Sequence, residues 1–374
     1  MIKKSFYIIG ISALLAGCSN DMLQPEMESD LVPITLSTPS VVMSTDTEVQ
    51  TRAGATTDFP NSGSIAVVAA KTTSGAAQTD WSSSDNFHLN HVAATVGVKS
   101  NNQYPVTFSP VQYWPFDSDT YLSFAAYSPS NTTQKSGEPH TLTVTASTNV
   151  PFPDLLYSTP TTTAYNKESG KSGVELTQFK HAMARLVIKV VPIDKSGNEI
   201  TDYNSDNFKI TKLGIQTKVT TGNFDFINPA WTLTAPGTSA SHTSVYSLIS
   251  ANNYTNNNAK KLPYDSSDSK KGGSNKEYYL LPATDDVNTV ELSKIDFELR
   301  DKSYTYSYAT GNDGSLDEFK DASNSSVKLE MGKTTVLTIK VKVVNIQTGG
   351  DDAIILYGTL KDWEYKGNST VTIN

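Results

Sequence analysis

Arg185-Leu186-Val187-Ile188-Lys189-Val190 places Leu186, Ile188 and Val190 on one face of an extended chain, with Arg185 and Lys189 on the other. Leu337, Ile339, Val341 and Val343 oppose Thr338, Lys340 and Lys342 in the same way. Side chains alternate across a strand with a period of two, so both stretches read as half-buried strands. Working outward, Val32, Ile34 and Leu36 alternate with Pro33, Thr35 and Ser37, and Val41-Val42-Met43 follows. Short apolar runs recur at Ile65 to Ala70, Tyr104 to Phe108, Tyr121 to Tyr127 and Leu142 to Ala146, each bounded by Gly, Pro, Asn, Asp or Ser. No long stretch carries a 3.6-residue period. Many short strands without intervening helices predict an all-β protein built from antiparallel β-sandwiches.

The 374 residues suit two ordinary domains. Residues 159–173 are rich in Thr, Ser, Gly and Lys and lack apolar rhythm, which places a boundary near 175. The expected organisation is a signal peptide over 1–17, a tether with a first strand over 18–52, an N-terminal sandwich over 53–175 and a C-terminal sandwich over 176–374. The polar stretch from Asn252 to Lys276 reads as a surface loop within the second sandwich, because strand character resumes at Tyr278-Tyr279-Leu280-Leu281. Charged residues are 18% of the chain and the net charge is −8. An acidic chain lacks the phosphate-neutralising surface that nucleic-acid binding requires, so nucleic acid is excluded as an expected partner.

The single cysteine, Cys18, rules out an internal disulfide framework. Its surroundings explain it. Lys3 and Lys4 precede an apolar run from Phe6 to Ala16, too short to span a bilayer, and Leu15-Ala16-Gly17-Cys18 follows. This order resembles a bacterial lipobox, in which the cysteine becomes the acylated first residue after cleavage. Several acyl chains would anchor the protein stably, whereas one alone would be marginal.

Chemistry-bearing patterns are sparse. There are five histidines, with no G-x-S-x-G elbow, zinc-helix or phosphate-loop motif. His88 and His91 have metal-like spacing but no evident third ligand. His181 lacks an assignable nucleophile or orienting carboxylate and reads as structural. Tyr304, Tyr306 and Tyr308 share a strand face that suits either sandwich packing or an interface. No catalytic group, metal or cofactor is expected.

Arg52 is one of three arginines and lies in Gln50-Thr51-Arg52-Ala53-Gly54, a small, polar segment open to a protease. A cut between Arg52 and Ala53 leaves 374 − 52 = 322 residues and releases the anchor with residues 31–52. If the run from Val32 to Met43 is a strand of the first sheet, its loss uncovers an apolar groove at a cost on the order of 10 kcal/mol for three to five side chains. A strand from another molecule would refill it. Ile354 and Leu356, with Val371 and Ile373 in the last alternating piece, are candidate donor residues. The alternative is that these strands complete their own domain.

Taken in order, these segments resemble the Bacteroidales fimbrillin family, the lipoprotein-derived subunits of type V pili. The resemblance rests on Cys18, Thr51-Arg52-Ala53, Ile65-Ala66-Val67-Val68, Tyr113-Trp114-Pro115, Tyr121-Leu122-Ser123-Phe124-Ala125-Ala126-Tyr127-Ser128-Pro129, Phe179-Lys180-His181-Ala182 with Leu186-Val187-Ile188, and the late Trp363. It implies two transthyretin-like sandwiches in tandem and export as a lipoprotein acylated at Cys18, with palmitate among the chains. It further implies an outer-membrane surface location, processing after Arg52 by an arginine-specific protease and polymerisation by donor-strand exchange with other fimbrial subunits, in support of adhesion or biofilm formation. Only a short piece follows Trp363, which leaves shaft, tip and accessory roles open. The competing reading is a monomeric surface lipoprotein that binds a glycan or host ligand, with Trp81 or Trp231 stacking on sugar rings.

Overall fold

The structure, a computed structural model of the chain, describes residues 31–39, 63–101, 103–145, 154–200, 208–217, 221–233, 244–250, 260–261, 264–265, 278–282, 290–299, 302–307, 329–342 and 354–362. The strand Ser64–Thr72 organises the first half. Ile65, Val67 and Ala69 enter one hydrophobic core, and Ala66, Val68 and Ala70 enter another on the opposite face. Its neighbour Tyr121–Ser128 divides likewise, with Leu122, Phe124 and Ala126 in the first core and Ala125 and Tyr127 in the second. Both strands are buried on both faces, which is why they read as continuous apolar runs instead of alternating ones.

These strands lie inside an eight-stranded sheet ordered 180–181, 156–158, 121–128, 64–72, 87–96, 103–108, 36–39 and 174–175. A four-stranded sheet runs 230–233, 221–225, 138–145 and 133–135. In the second half, 264–265, 184–193, 333–342 and 354–362 form one five-stranded sheet, with 278–280 also paired to 184–193. The other five-stranded sheet runs 244–250, 208–217, 290–299 and 302–307, with 260–261 on 208–217. The protein is all-β, and its fold is that of tandem sandwiches.

Among the described residues antiparallel pairing dominates, with two parallel pairs. Residues 184–193 pair in parallel with 333–342, setting Ile188 beside Leu337 and Val190 beside Ile339. A parallel pair needs a crossover connection, and residues 194–332 supply it. Leu186, Ile188, Val190, Leu337, Ile339 and Val341 are all buried, as their alternation requires.

The halves are joined across residue 175. The strand Val174–Glu175 lies at one edge of the eight-stranded sheet and Lys180–His181 at the other. Thr221–Asp225 pairs with Glu138–Thr145, so a hairpin from the first half and strands from the second share a sheet. One core takes Leu142 and Tyr157 together with Phe224, Trp231, Ile188, Ile210 and Leu337. Trp81 and Trp231 are 3% and 7% exposed, and their indole N–H groups donate to Gln78 O at 2.9 Å and Ala182 O at 2.7 Å. Both rings are core residues, not surface platforms. His181 is held by Asp154, with Nδ1 and Oδ2 2.7 Å apart.

Candidate functional site

Residues 31–39 are threaded into the first half rather than laid on its edge. Leu36–Pro39 pairs antiparallel with Gln103–Phe108, setting Leu36 opposite Val106 and Thr38 opposite Tyr104. On its other side Leu36 and Ser37 pair in parallel with Val174 and Glu175. The backbone is held throughout. Ile34 N–H donates to Gln112 O at 2.8 Å, Trp114 N–H to Val32 O at 2.9 Å, Val174 N–H to Thr35 O at 3.0 Å and Leu176 N–H to Ser37 O at 2.8 Å.

Alternation decides which side chains face inward. Ile34 and Leu36 are 5% and 1% exposed and Thr38 is buried, while Leu31, Pro33 and Thr35 are exposed. Ile34 and Leu36 share a core with Tyr104, Val106, Phe108, Trp114, Val174 and Leu176, and Val32 packs against it half-buried. Two fully buried aliphatic side chains and a partial third represent about 5 kcal/mol of burial. That is smaller than three to five side chains would supply, because every second residue of so short a strand points outward.

The walls of this slot are braced from behind. Trp114 packs edge-on against Phe124, with ring centroids 5.7 Å apart at 82°. Gly173 has φ +99°, a left-handed conformation that glycine adopts without steric penalty, and it turns the chain into Val174 beside Thr35. Gln103 Nε2 donates to Glu175 Oε2 at 2.9 Å, tying together the two strands that flank the segment. His88 Nε2 lies 2.7 Å from Tyr113 O and so fixes the outer loop to the strand Phe87–Val96.

The second histidine of the H-x-x-H pair faces other partners. His91 has φ +52° where the pairing of 87–96 with 64–72 shifts register, and its Nδ1 lies 3.1 Å from Tyr127 Oη. Burial holds His91 down to about 4, partly opposed by the Pro139 carbonyl, and pushes Tyr127 up to about 12. The two imidazoles therefore serve separate packing contacts, and nothing in this arrangement converges on an ion.

Of the candidate site residues, Ile354 and Leu356 lie on the strand Ile354–Asp362 of the chain's own sheet, opposite Val341 and Ile339. Cys18, Arg52, Ala53, Val371 and Ile373 lie outside the described residues, as does Trp363. Trp114, Gly170, Val174 and Leu176 complete the slot without having stood out as site residues. The inward pair Val174 and Leu176 in a polar neighbourhood was the available signal.

The fimbrillin-like family model matches residues 51–363. Among solved structures, a candidate cell adhesion protein of Bacteroides uniformis is 15% identical, with a TM-score of 0.50 and coverage of 89% of this chain and 98% of that one. A candidate cell adhesion protein of Bacteroides ovatus is 14% identical over 90% of this chain and 99% of its own, with a TM-score of 0.47. The fimbrial anchor protein Mfa2 of Porphyromonas gingivalis is 9% identical over 88% and 98%, with a TM-score of 0.34. The Bacteroides uniformis likeness is one of fold. Comparison with curated proteins finds no match.

Proposed function

Because the chain belongs to the fimbrillin-like family, we propose that it is a structural subunit of a cell-surface fimbria, exported as a lipoprotein and built into the fibre by strand exchange. Membership makes it a structural protein related to fimbriae and adhesion, not an enzyme. The observation that carries the finer reading is the seat of residues 31–39, a short strand hydrogen-bonded on both sides yet contributing only a few buried side chains.

On this reading Cys18 carries acyl chains that hold the precursor at the outer membrane. An arginine-specific protease cuts between Arg52 and Ala53. The segment then leaves the slot, exposing the amides of Trp114, Val174 and Leu176 and the carbonyl of Gln112, groups an incoming strand can pair. The strand that includes Ile354 and Leu356, with Val371 and Ile373 beyond it, is the proposed donor from a neighbouring subunit. The glycan-binding alternative loses its proposed platforms, since Trp81 and Trp231 are buried.

The test is made in the producing bacterium. Cys18→Ala abolishes incorporation of a labelled fatty acid, Arg52→Ala leaves the precursor at full length on the cell surface, and fimbriae from the parent strain carry Ala53 as the N-terminal residue. Isolated fimbriae whose subunits retain residues 31–52 would contradict the reading.

A further inference from the structure

The outer face of the slot is apolar at one end. Pro33 bridges Tyr113, and the bonds from Ile34 to Gln112 and from Trp114 to Val32 extend that pairing. Directly opposed residues of an antiparallel pair share a face. Leu31, Pro33, Val111 and Tyr113 accordingly point out together while Ile34 and Trp114 point in. Phe116 adjoins them in sequence. Leu31 is 44%, Val111 51%, Tyr113 41% and Phe116 71% exposed, and they are four of the five large hydrophobic side chains exposed among the described residues.

The loop that carries three of them is fixed. His88 reaches Tyr113 O at 2.7 Å, Lys167 Nζ donates to Phe116 O at 3.0 Å with the ammonium 5.5 Å from the Phe116 ring, and Asn166 Nδ2 donates to Ser118 O at 2.9 Å. Aromatic side chains held ready in solvent carry a disproportionate share of binding energy at protein interfaces, because little ordering is needed when they are covered.

We infer that Val111, Tyr113 and Phe116 seat the body of the strand-donating subunit, a second processed copy of this chain. The inference rests on the strand-exchange reading and adds where the donor sits. A strand filling the slot leaves it at two ends. At the Leu31 end its flanking residue emerges beside Tyr113, among these side chains. At the Pro39 end the register places Gln103 opposite, with the exposed Val98 near by through the bond from Gly97 N–H to Pro105 O. Among the described residues, a single exposed aliphatic side chain lies at that end and offers little area, so the donor's body sits at the Leu31 end. Cleavage removes Leu31 and Pro33 and leaves Val111, Tyr113 and Phe116 in place for the incoming chain.

The experiment compares residues 19–374 of the parent and of Tyr113→Ser/Phe116→Ser after limited arginine-specific digestion. Oligomer growth is followed by light scattering, and a labelled synthetic peptide of residues 31–39 reports the slot. The expected result is that peptide affinity stays within about twofold while oligomer growth falls at least about tenfold. Growth equal to the parent's, with the peptide bound, overturns the docking site but not strand exchange. Loss of peptide binding in the variant assigns these residues to the slot wall and overturns the proposal. A parent that binds the peptide yet never grows overturns the second copy as occupant, and a parent that neither grows nor binds peptide overturns the strand-exchange reading itself.

Discussion

Gly170 lies against the ring of Trp114 with no room for a Cβ, which would stand 2.1 Å from Cζ2 and 2.4 Å from Cη2. The turn over residues 167–172 thereby presses Trp114 toward Phe124, and the Trp114 amide in turn holds Val32. One glycine behind the slot thus fixes the position of a wall in front of it.

Gly170→Ala is expected to destabilise the fold by about 1–3 kcal/mol, since the indole has to move before a methyl group fits. Urea denaturation measures the loss, and hydrogen exchange at the Trp114 amide is expected to speed up with it. Gly75→Ala, whose added carbon meets only Tyr121 at an ordinary 3.8 Å, provides the control and is expected to change stability by less than about 0.5 kcal/mol.

Leu36→Ala removes most of a fully buried side chain and is expected to cost about 2–5 kcal/mol. Thr35→Ala, one residue earlier on the exposed face, is expected to stay within about 0.5 kcal/mol of the parent. Denaturation midpoints of uncut residues 19–374 check both, and equal effects would contradict the inward–outward assignment of the segment.

His91 gives the fold an acid-sensitive point. Burial lowers it from the ordinary 6.5 to about 4, so the folded state favours the neutral ring. The unfolded chain then binds the extra proton first as acid is added, and stability contributed by this site falls as the pH drops from 6.5 to about 4, levelling off below that. His91→Asn does not titrate and tolerates φ +52° better than most residues. The difference in stability between parent and variant is expected to vary across that interval and to be flat above pH 7.

The register of Ile354–Asp362 gives a direct assay of which molecule it completes. Residues 19–374 contain no cysteine, and Ile339 and Leu356 stand opposite each other, within disulfide reach for paired strands. The double variant Ile339→Cys/Leu356→Cys is expected to close within one chain in the uncut monomer. In fibres grown after cleavage, donation of this strand carries Leu356 into a neighbour's slot beside 103–108 and 174–175, away from Ile339, and predicts that the disulfide does not form and both thiols stay free to react. An Ile339→Cys/Leu356→Cys disulfide that forms within each chain of such fibres would assign the strand permanently to its own sheet.

Faces were legible in the sequence because alternation reports burial directly. Leu186, Ile188 and Val190 point inward as read, and so do Ile34 and Leu36. Partners were not legible, because period two carries no record of which strand lies alongside. The parallel pairing of 184–193 with 333–342, the insertion of 36–39 between 103–108 and 174–175, and the sheet shared by 138–145 and 221–225 all join residues far apart in the chain. His181 illustrates the same limit: its carboxylate, Asp154, lies 27 residues upstream and is found only by folding. Trp81 and Trp231 could have been surface platforms or core, and burial against neighbouring elements made them core.

The most direct measurement is intact mass with electron microscopy of purified residues 19–374 before and after limited digestion by an arginine-specific protease. Strand exchange predicts one cut after Arg52, a resistant product of 322 residues from which residues 31–52 dissociate, and growing filaments. Retention of the cut segment by a product that stays monomeric, or resistance at Arg52, would contradict it.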